Sequence, residues 1–127
     1  MIAKKCYCGS QKNFQECCEP IIKGIQKSST AESLMRSRYS AYATHEVDYL
    51  LATTLVAERK YYSKTGILNW ATSNQWLQLE IINTTGTTVE FKAYFLDSKL
   101  QKKIHHELST FKFEKGSWFY VDGKFFN

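Results

Sequence analysis

Beyond residue 18 the chain has no cysteine: all four lie between Cys6 and Cys18. A disulfide framework tying distant parts of the fold together is therefore excluded. Proline is nearly absent too, with Pro20 alone, and arginine occurs only at Arg36, Arg38 and Arg59. No apolar run approaches the ~18 residues that a membrane span needs. The lysine-bearing start is not followed by a hydrophobic stretch, so it does not read as a secretory leader. The expectation is a soluble, cytoplasmic protein. With no dense basic tract and no recognised nucleic-acid motif, nucleic acid is only weakly supported as a partner, and another protein is favoured.

What the chain does have is the stretch Cys6-Tyr7-Cys8-Gly9-Ser10-Gln11-Lys12-Asn13-Phe14-Gln15-Glu16-Cys17-Cys18. Thiolates hold zinc at about 2.3 Å in a tetrahedron, and two short segments carrying two cysteines each can supply all four corners. Gly9 permits a tight turn whose N–H groups can face the sulfurs. Adjacent cysteines diverge on a regular helix or strand, so Cys17 and Cys18 should sit at the end of a short turn or helix, with Pro20 marking that end. A disulfide pair competes with this reading, but a reduced compartment is the better expectation without a leader. A redox dithiol competes too, but the C-x-x-C spacing is missing. Zinc is the favoured ion, and iron, which four thiolates also hold, stays open.

C-x-C-G-S followed by an aromatic residue and a Cys-Cys pair resembles the SEC-C motif, the metal-binding module also found at the C-terminus of the preprotein translocase ATPase SecA. Tyr7 replaces the usual proline of that motif and Gln11 the usual glycine, and neither position supplies a ligand. The resemblance implies that Cys6, Cys8, Cys17 and Cys18 are the ligands, with Cys18 standing where related modules can carry histidine.

A length of 127 residues suits one domain plus a small appendage. The formal charge of +5 falls to +3 once four thiolates and one divalent cation are counted, which is ordinary for a small domain. Lys4, Lys5 and Lys12 can offset the negative charge of a tetrathiolate site.

After a linker with Gly24, Ser29 and Glu32 have the spacing of a capping box and predict a helix running to about Ala43 or Thr44. Leu34, Arg38 and Tyr42 share one stripe of it, with Met35, Tyr39 and Ala43 beside them. A second helix is expected from Asp48 to about Val56, and a third from Ile67 to Asn74 with Trp70 inward. From Trp76 the period becomes alternating. Leu77, Leu79 and Ile81 share one strand face, and Val89, Phe91, Ala93 and Phe95 the next. His105, Glu107, Ser109, Phe111 and Phe113 share a third, opposite His106, Leu108, Thr110 and Lys112. Lys115-Gly116 turns into a last strand from Trp118, and Asp122-Gly123 reads as a turn. Helices followed by four antiparallel strands indicate an α+β fold, with helices packed on a curved sheet.

Leu34-Met35-Arg36-Ser37-Arg38-Tyr39-Ser40-Ala41-Tyr42, Val47-Asp48-Tyr49-Leu50-Leu51-Ala52-Thr53, His106-Glu107 with Ser109 and Phe111, and Trp118 with Tyr120-Val121-Asp122-Gly123 look like stretches of the YchJ-like proteins. The resemblance covers almost the whole chain. It implies a SEC-C motif over residues 1–23 and a nuclear transport factor 2-like cone domain over residues 28–127.

A cone can enclose a cavity, and its candidate polar lining is Arg38, Tyr39, Tyr42, Trp70, Glu107 and Ser109, with His105 beside them. Arg38 lies on a stripe that ought to be buried. Either its stem packs while the guanidinium reaches water, or it pairs with Glu107 as a buried ion pair. His105 and His106 point to opposite faces and cannot act together, and each reads by default as an exposed edge histidine. With no persuasive acid–base arrangement, the favoured function is non-enzymatic. The metal module docks a protein or ribonucleoprotein through Lys4, Lys5, Lys12, Phe14 and Gln15, and the cone carries it. The alternative is a small-molecule-binding protein or enzyme using a cone cavity of several hundred Å³. Phe125-Phe126 at the end leaves monomer and dimer both open.

Overall fold

Thr30 starts the helix on which the molecule is built. In a computed structural model, which describes residues 4–126, its hydroxyl accepts the Ser33 N–H at 3.0 Å and caps α2 (Ala31–Ala43). The cap lies one residue past the expected Ser29, and Glu32 instead accepts from Arg36 one turn on. The face of α2 carrying Leu34, Met35, Arg38 and Tyr39 is buried.

Before α2 come a 3₁₀ turn (Phe14–Glu16) and α1 (Cys18–Ile22). Pro20 lies inside the first turn of α1 rather than marking the end of the cysteine pair. A first-turn N–H has no helical acceptor, so proline costs nothing there. After α2, α3 (Val47–Ala52) stops four residues short of the expected Val56. The Thr53 and Thr54 hydroxyls bond back to the Tyr49 and Leu50 carbonyls at 2.8 Å each, which competes with continuing the helix. A 3₁₀ segment (Val56–Tyr61) leads to α4 (Lys64–Ser73), capped by Ser63 and begun three residues earlier than expected. Trp70 on α4 is 41% exposed rather than inward, and it meets Trp76 and Phe95 edge-on.

Strands β1 (Gln75–Thr84), β2 (Thr88–Leu96), β3 (Lys102–Glu114) and β4 (Ser117–Phe126) form one antiparallel sheet in chain order. Val89, Phe91, Ala93 and Phe95 are all buried, as alternation predicts. Irregular register bends the sheet at three places. On β1, Leu77 and Ile82 are the extra residues, so Trp76 and Leu79 face the helices, while Leu77, expected inside, is exposed. On β4, Val121 is extra, between Tyr120 and Asp122. That bulge turns the Tyr120 backbone toward the chain after α3, where its N–H donates to Thr53 O at 2.7 Å and its carbonyl accepts from Leu55 N at 2.8 Å. Phe113 lies near the far end of β3, exposed, with its ring against Trp118. Asp122 and Gly123, expected as a turn, are strand residues of β4.

The main core joins Leu34, Met35 and Tyr39 of α2 to Leu79, Val89, Phe91, Phe111 and Tyr120 of the sheet, and it includes Cys6, Cys8 and Cys18. The cysteine segment is thus packed into the same buried cluster as the sheet and α2.

Candidate metal centre

A short antiparallel pairing makes the cysteine loop. Lys5 bridges Asn13, Cys6 N donates to Lys12 O at 2.8 Å, and Phe14 N donates to Lys4 O at 2.9 Å. The loop turns through Gly9 at φ 82° and Gln11 at φ 69°, left-handed values at which a side chain is strained. Gln11 occupies the position where the motif usually has glycine. Cys17 closes the 3₁₀ turn and Cys18 opens α1, so the adjacent side chains part at the junction and both reach the loop.

The four sulfurs all lie within 4.8 Å of one another. Cys8 and Cys17 are 3.8 Å apart, and Cys17 and Cys18 4.0 Å. A tetrahedron with 2.3 Å metal–sulfur bonds has edges of about 3.8 Å, whereas a disulfide needs about 2.05 Å. All four cysteines are free, and the donor set fits a thiolate-bound metal ion. Hydrogen bonds from Cys18 and Cys8 draw the Cys6 thiol far below its ordinary range. The same contact with Cys6 pushes Cys18 up, and burial pushes Cys17 up. Cys6 ionises most readily while Cys17 and Cys18 resist ionisation, a conflict that a central cation would relieve.

Neighbouring groups steady the sulfurs. Ser10 Oγ lies 3.1 Å from Cys17 Sγ and Ser40 Oγ, from α2, 3.6 Å from Cys6 Sγ. Arg36 Nη1 donates to the Cys8 carbonyl at 2.6 Å while its Nε holds Glu32 at 2.9 Å. Cys6, Cys8 and Cys18 are buried and Cys17 is partly exposed. On the outer side, Lys4, Lys5, Lys12 and Gln15 are exposed. Phe14, grouped with them in the sequence reading, is half-buried, edge-on to Tyr7 at 5.2 Å and packed against the core.

The polar residues of the cone do not pair as expected. Arg38 and Glu107 are both buried, yet they form no ion pair among the described residues. Arg38 Nη1 donates to Leu50 O at 2.9 Å and Thr53 Oγ1 at 2.7 Å, and its guanidinium lies 4.6 Å from the Tyr120 ring centroid. Glu107 takes its hydrogen bonds elsewhere: His105 Nε2 at 2.7 Å on one oxygen, Ser109 Oγ at 2.5 Å and Tyr120 OH at 2.9 Å on the other. Burial alone would push the Glu107 carboxyl up, but these three bonds more than reverse it and hold it below the usual carboxylate range. Tyr120 stands between the two charges, its hydroxyl on Glu107 and its ring under Arg38. Burial and the adjacent carboxylate push its phenol far above the ordinary range.

Tyr39 is buried against Trp76, and burial pushes its phenol up, so it reads as core. Tyr42 packs against Trp76 as well. Neither histidine is an unpartnered edge residue: His105 bonds Glu107, and His106 bonds Glu90 at 2.8 Å and stacks on Phe126. The sequence gives no signal for Tyr120 or Thr53, and Gly123 is expected only as part of a turn. A Cβ on Gly123 would fall on the Glu107 carboxylate, so a side chain opposite Ser109 in that register requires the carboxylate to move. Among the described residues, clefts of about 190 to 400 Å³ lie elsewhere, and Arg38, Tyr39, Tyr42, Trp70, Glu107 and Ser109 line none of these.

A family model described as the YchJ middle NTF2-like domain matches residues 30–123. A UPF0225 protein of Geobacter sulfurreducens is 41% identical over 125 residues, 93% of this chain and 77% of its own length. A UPF0225 protein of Photorhabdus laumondii is also 41% identical over 125 residues, 93% of this chain and 79% of that one. The solution structure of a SEC-C motif containing protein from Rhodopseudomonas palustris superposes with a TM-score of 0.88 at 32% identity, covering 98% of this chain and 100% of that one. The crystal structure of a SEC-C motif containing protein from Psychrobacter arcticus gives 0.80 at 32% identity, covering 96% and 81%. With its cysteine cluster ahead of an α+β cone, the chain belongs to the YchJ-like family of UPF0225 proteins.

Proposed function

We propose that the chain is a zinc-binding interaction protein of the cytoplasm, in which Cys6, Cys8, Cys17 and Cys18 hold the ion and the N-terminal segment docks a protein or ribonucleoprotein partner. The observation that carries this reading is the two-sided burial of that segment. Its sulfur side is packed into the core, while Lys4, Lys5, Lys12 and Gln15 stay exposed on the other. A segment of about twenty residues cannot bury a core of its own, so an ion binding four thiolates supplies the free energy that fixes its shape. Zinc suits four tetrahedral sulfurs better than iron does when no redox role is called for. The cysteine segment then acts as a rigid shelf, and the helices and sheet that follow as its carrier.

Metal content per chain, measured on untagged protein purified under reducing conditions, tests the first half: near-unit zinc is expected. The docking half is tested with Lys12→Glu combined with Gln15→Ala. Cross-linked partners of the native protein should be lost from the variant while zinc content stays unchanged. Recovery of the same partners by both proteins would remove the docking surface.

A further inference from the structure

Glu107 is a buried carboxylate in the core of a small domain, 5% exposed, a place where a charge is costly unless it is hydrogen-bonded. The molecule surrounds it with three side-chain donors and keeps glycine at position 123 to make room for it. The docking reading makes no use of this cluster. Its one part that reaches solvent is His105, whose side chain is 30% exposed.

The hydrogen bonds fix what His105 can do. One Glu107 oxygen takes the hydroxyl protons of Ser109 and Tyr120, and the other faces His105 Nε2 at 2.7 Å. An ionised carboxylate only accepts, so neutral His105 must carry its proton on Nε2, and Nδ1 is left with a lone pair. Nδ1 has no partner among the described residues. Among the described residues Nδ1 is not one of the fully buried polar atoms that lack a partner, and the His105 side chain is 30% exposed. Around the imidazole stand Phe125 at 5.2 Å, Phe91 at 6.0 Å and Trp70 at 6.4 Å between ring centroids, and Phe125 and Trp70 are 67% and 41% exposed. A nitrogen that can only accept, framed by exposed aromatic rings, suits a flat apolar molecule that carries an acidic proton.

We infer that His105 is the proton-accepting group of a binding site for small, flat, weakly acidic molecules at the rim of the cone, with Glu107 as the residue that positions it. The ligand rests against Trp70 and Phe125 and donates its O–H to Nδ1. When the proton transfers, the ligand O–H bond breaks, Nδ1 gains the hydrogen, and the Nε2–H stays on the Glu107 carboxylate. The products are a ligand anion and an imidazolium between two negative charges. No co-reactant is needed.

The probe is p-nitrophenol, whose absorption distinguishes phenol from phenolate, read on the full-length metal-loaded protein together with the ¹⁵N shifts of the imidazoles. Native protein should bind it saturably, with a phenolate signature, and free His105 should show the Nε2–H form. His105→Ala should weaken binding by about tenfold or more, the scale of one lost hydrogen bond to a charged group. Trp70→Ala should weaken it with the His105 ¹⁵N shifts unchanged. Glu107→Gln presents an amide N–H to Nε2, so the His105 proton should move to Nδ1 and the phenolate signature should vanish even though the fold is kept. If that variant does not fold, Ser109→Ala and Tyr120→Phe take its place, and each should raise the fraction of the Nδ1–H form. Equal binding by native protein and His105→Ala, or the Nδ1–H form in the native protein, overturns the assignment.

Discussion

The molecule buries negative charge in two places, and it solves the problem differently in each. At the cysteine loop, four sulfurs crowd within 4.8 Å of one another with few donors aimed at them, an arrangement that a bound cation would satisfy. At Glu107, three protein donors surround one carboxylate, and the site is complete without a guest. On the metal-binding reading proposed above, the first arrangement makes folding depend on a ligand. The second makes it depend on shape, since every donor must come from its own place in the sheet.

The widest gap between the two should appear on metal removal. Cys17→Ser with Cys18→Ser should abolish stoichiometric metal binding. Because Cys6, Cys8 and Cys18 share a buried cluster with Leu34, Met35 and Tyr39, the loss should reach the whole domain rather than the loop alone. A decrease on the order of 4 kcal/mol is expected from urea denaturation, the range typical of losing a metal or opening a core. An unchanged midpoint in the metal-free variant would mean that the loop is an independent appendage.

Breaking the other site should cost less. Gly123→Ala places a methyl group on the Glu107 carboxylate and should destabilise by about 2–3 kcal/mol, as overpacking does. Adding Glu107→Ala should recover part of that loss, because the two changes share one space and cannot be additive. If the double variant is simply the sum of the singles, the glycine is required for some other reason.

The two sites also differ in how much of them the sequence reveals. The cysteines are neighbours in the chain, so their spacing alone points to a metal and to which residues hold it. The Glu107 cluster is assembled from α2, the end of α3, β3 and β4, and it depends on register. Periodicity places Glu107 and Ser109 on the inner face together and marks Arg38 as buried, and those placements hold. It does not reveal that Val121 is an extra residue, and without that bulge Tyr120 would not be opposite Phe111. The expected Arg38–Glu107 pair therefore missed the tyrosine that stands between them. Leu77 was misplaced for the same reason, since a one-residue bulge exchanges inside and outside. Lone alternation cannot see bulges, whereas the unbroken alternation of β2 was read correctly throughout.

Acid should separate the sites further. Glu107 has a lowered pKa in the folded protein, so the unfolded chain binds its proton first as pH falls. Its contribution to stability is complete above the ordinary glutamate value of about 4.3 and is lost as pH falls from there through the folded value. Metal release also weakens the protein in acid, but it is common to native protein and Glu107→Gln. The difference between their urea midpoints should therefore be constant at neutral pH and narrow below about pH 4.3. A difference that stays constant to lower pH would mean that Glu107 is not held ionised by its three donors.

The smallest expected effect lies in the loop. Gln11 adopts φ 69°, a conformation that costs a non-glycine residue about 1–2 kcal/mol, while glycine adopts it freely and loses about 0.5–1 kcal/mol more backbone entropy on folding. The net for Gln11→Gly is a gain of roughly 0.5–1 kcal/mol. Gln11 is exposed and makes no side-chain hydrogen bond among the described residues, so the gain should be visible in the metal-loaded protein. It should appear as tighter metal retention against a chelator as well, because the strain opposes the loop shape that brings Cys6 and Cys8 toward Cys17 and Cys18. A glycine variant that is more stable yet releases metal at the native rate would separate loop folding from metal binding, and would make the cysteine site as self-sufficient as the carboxylate it contrasts with.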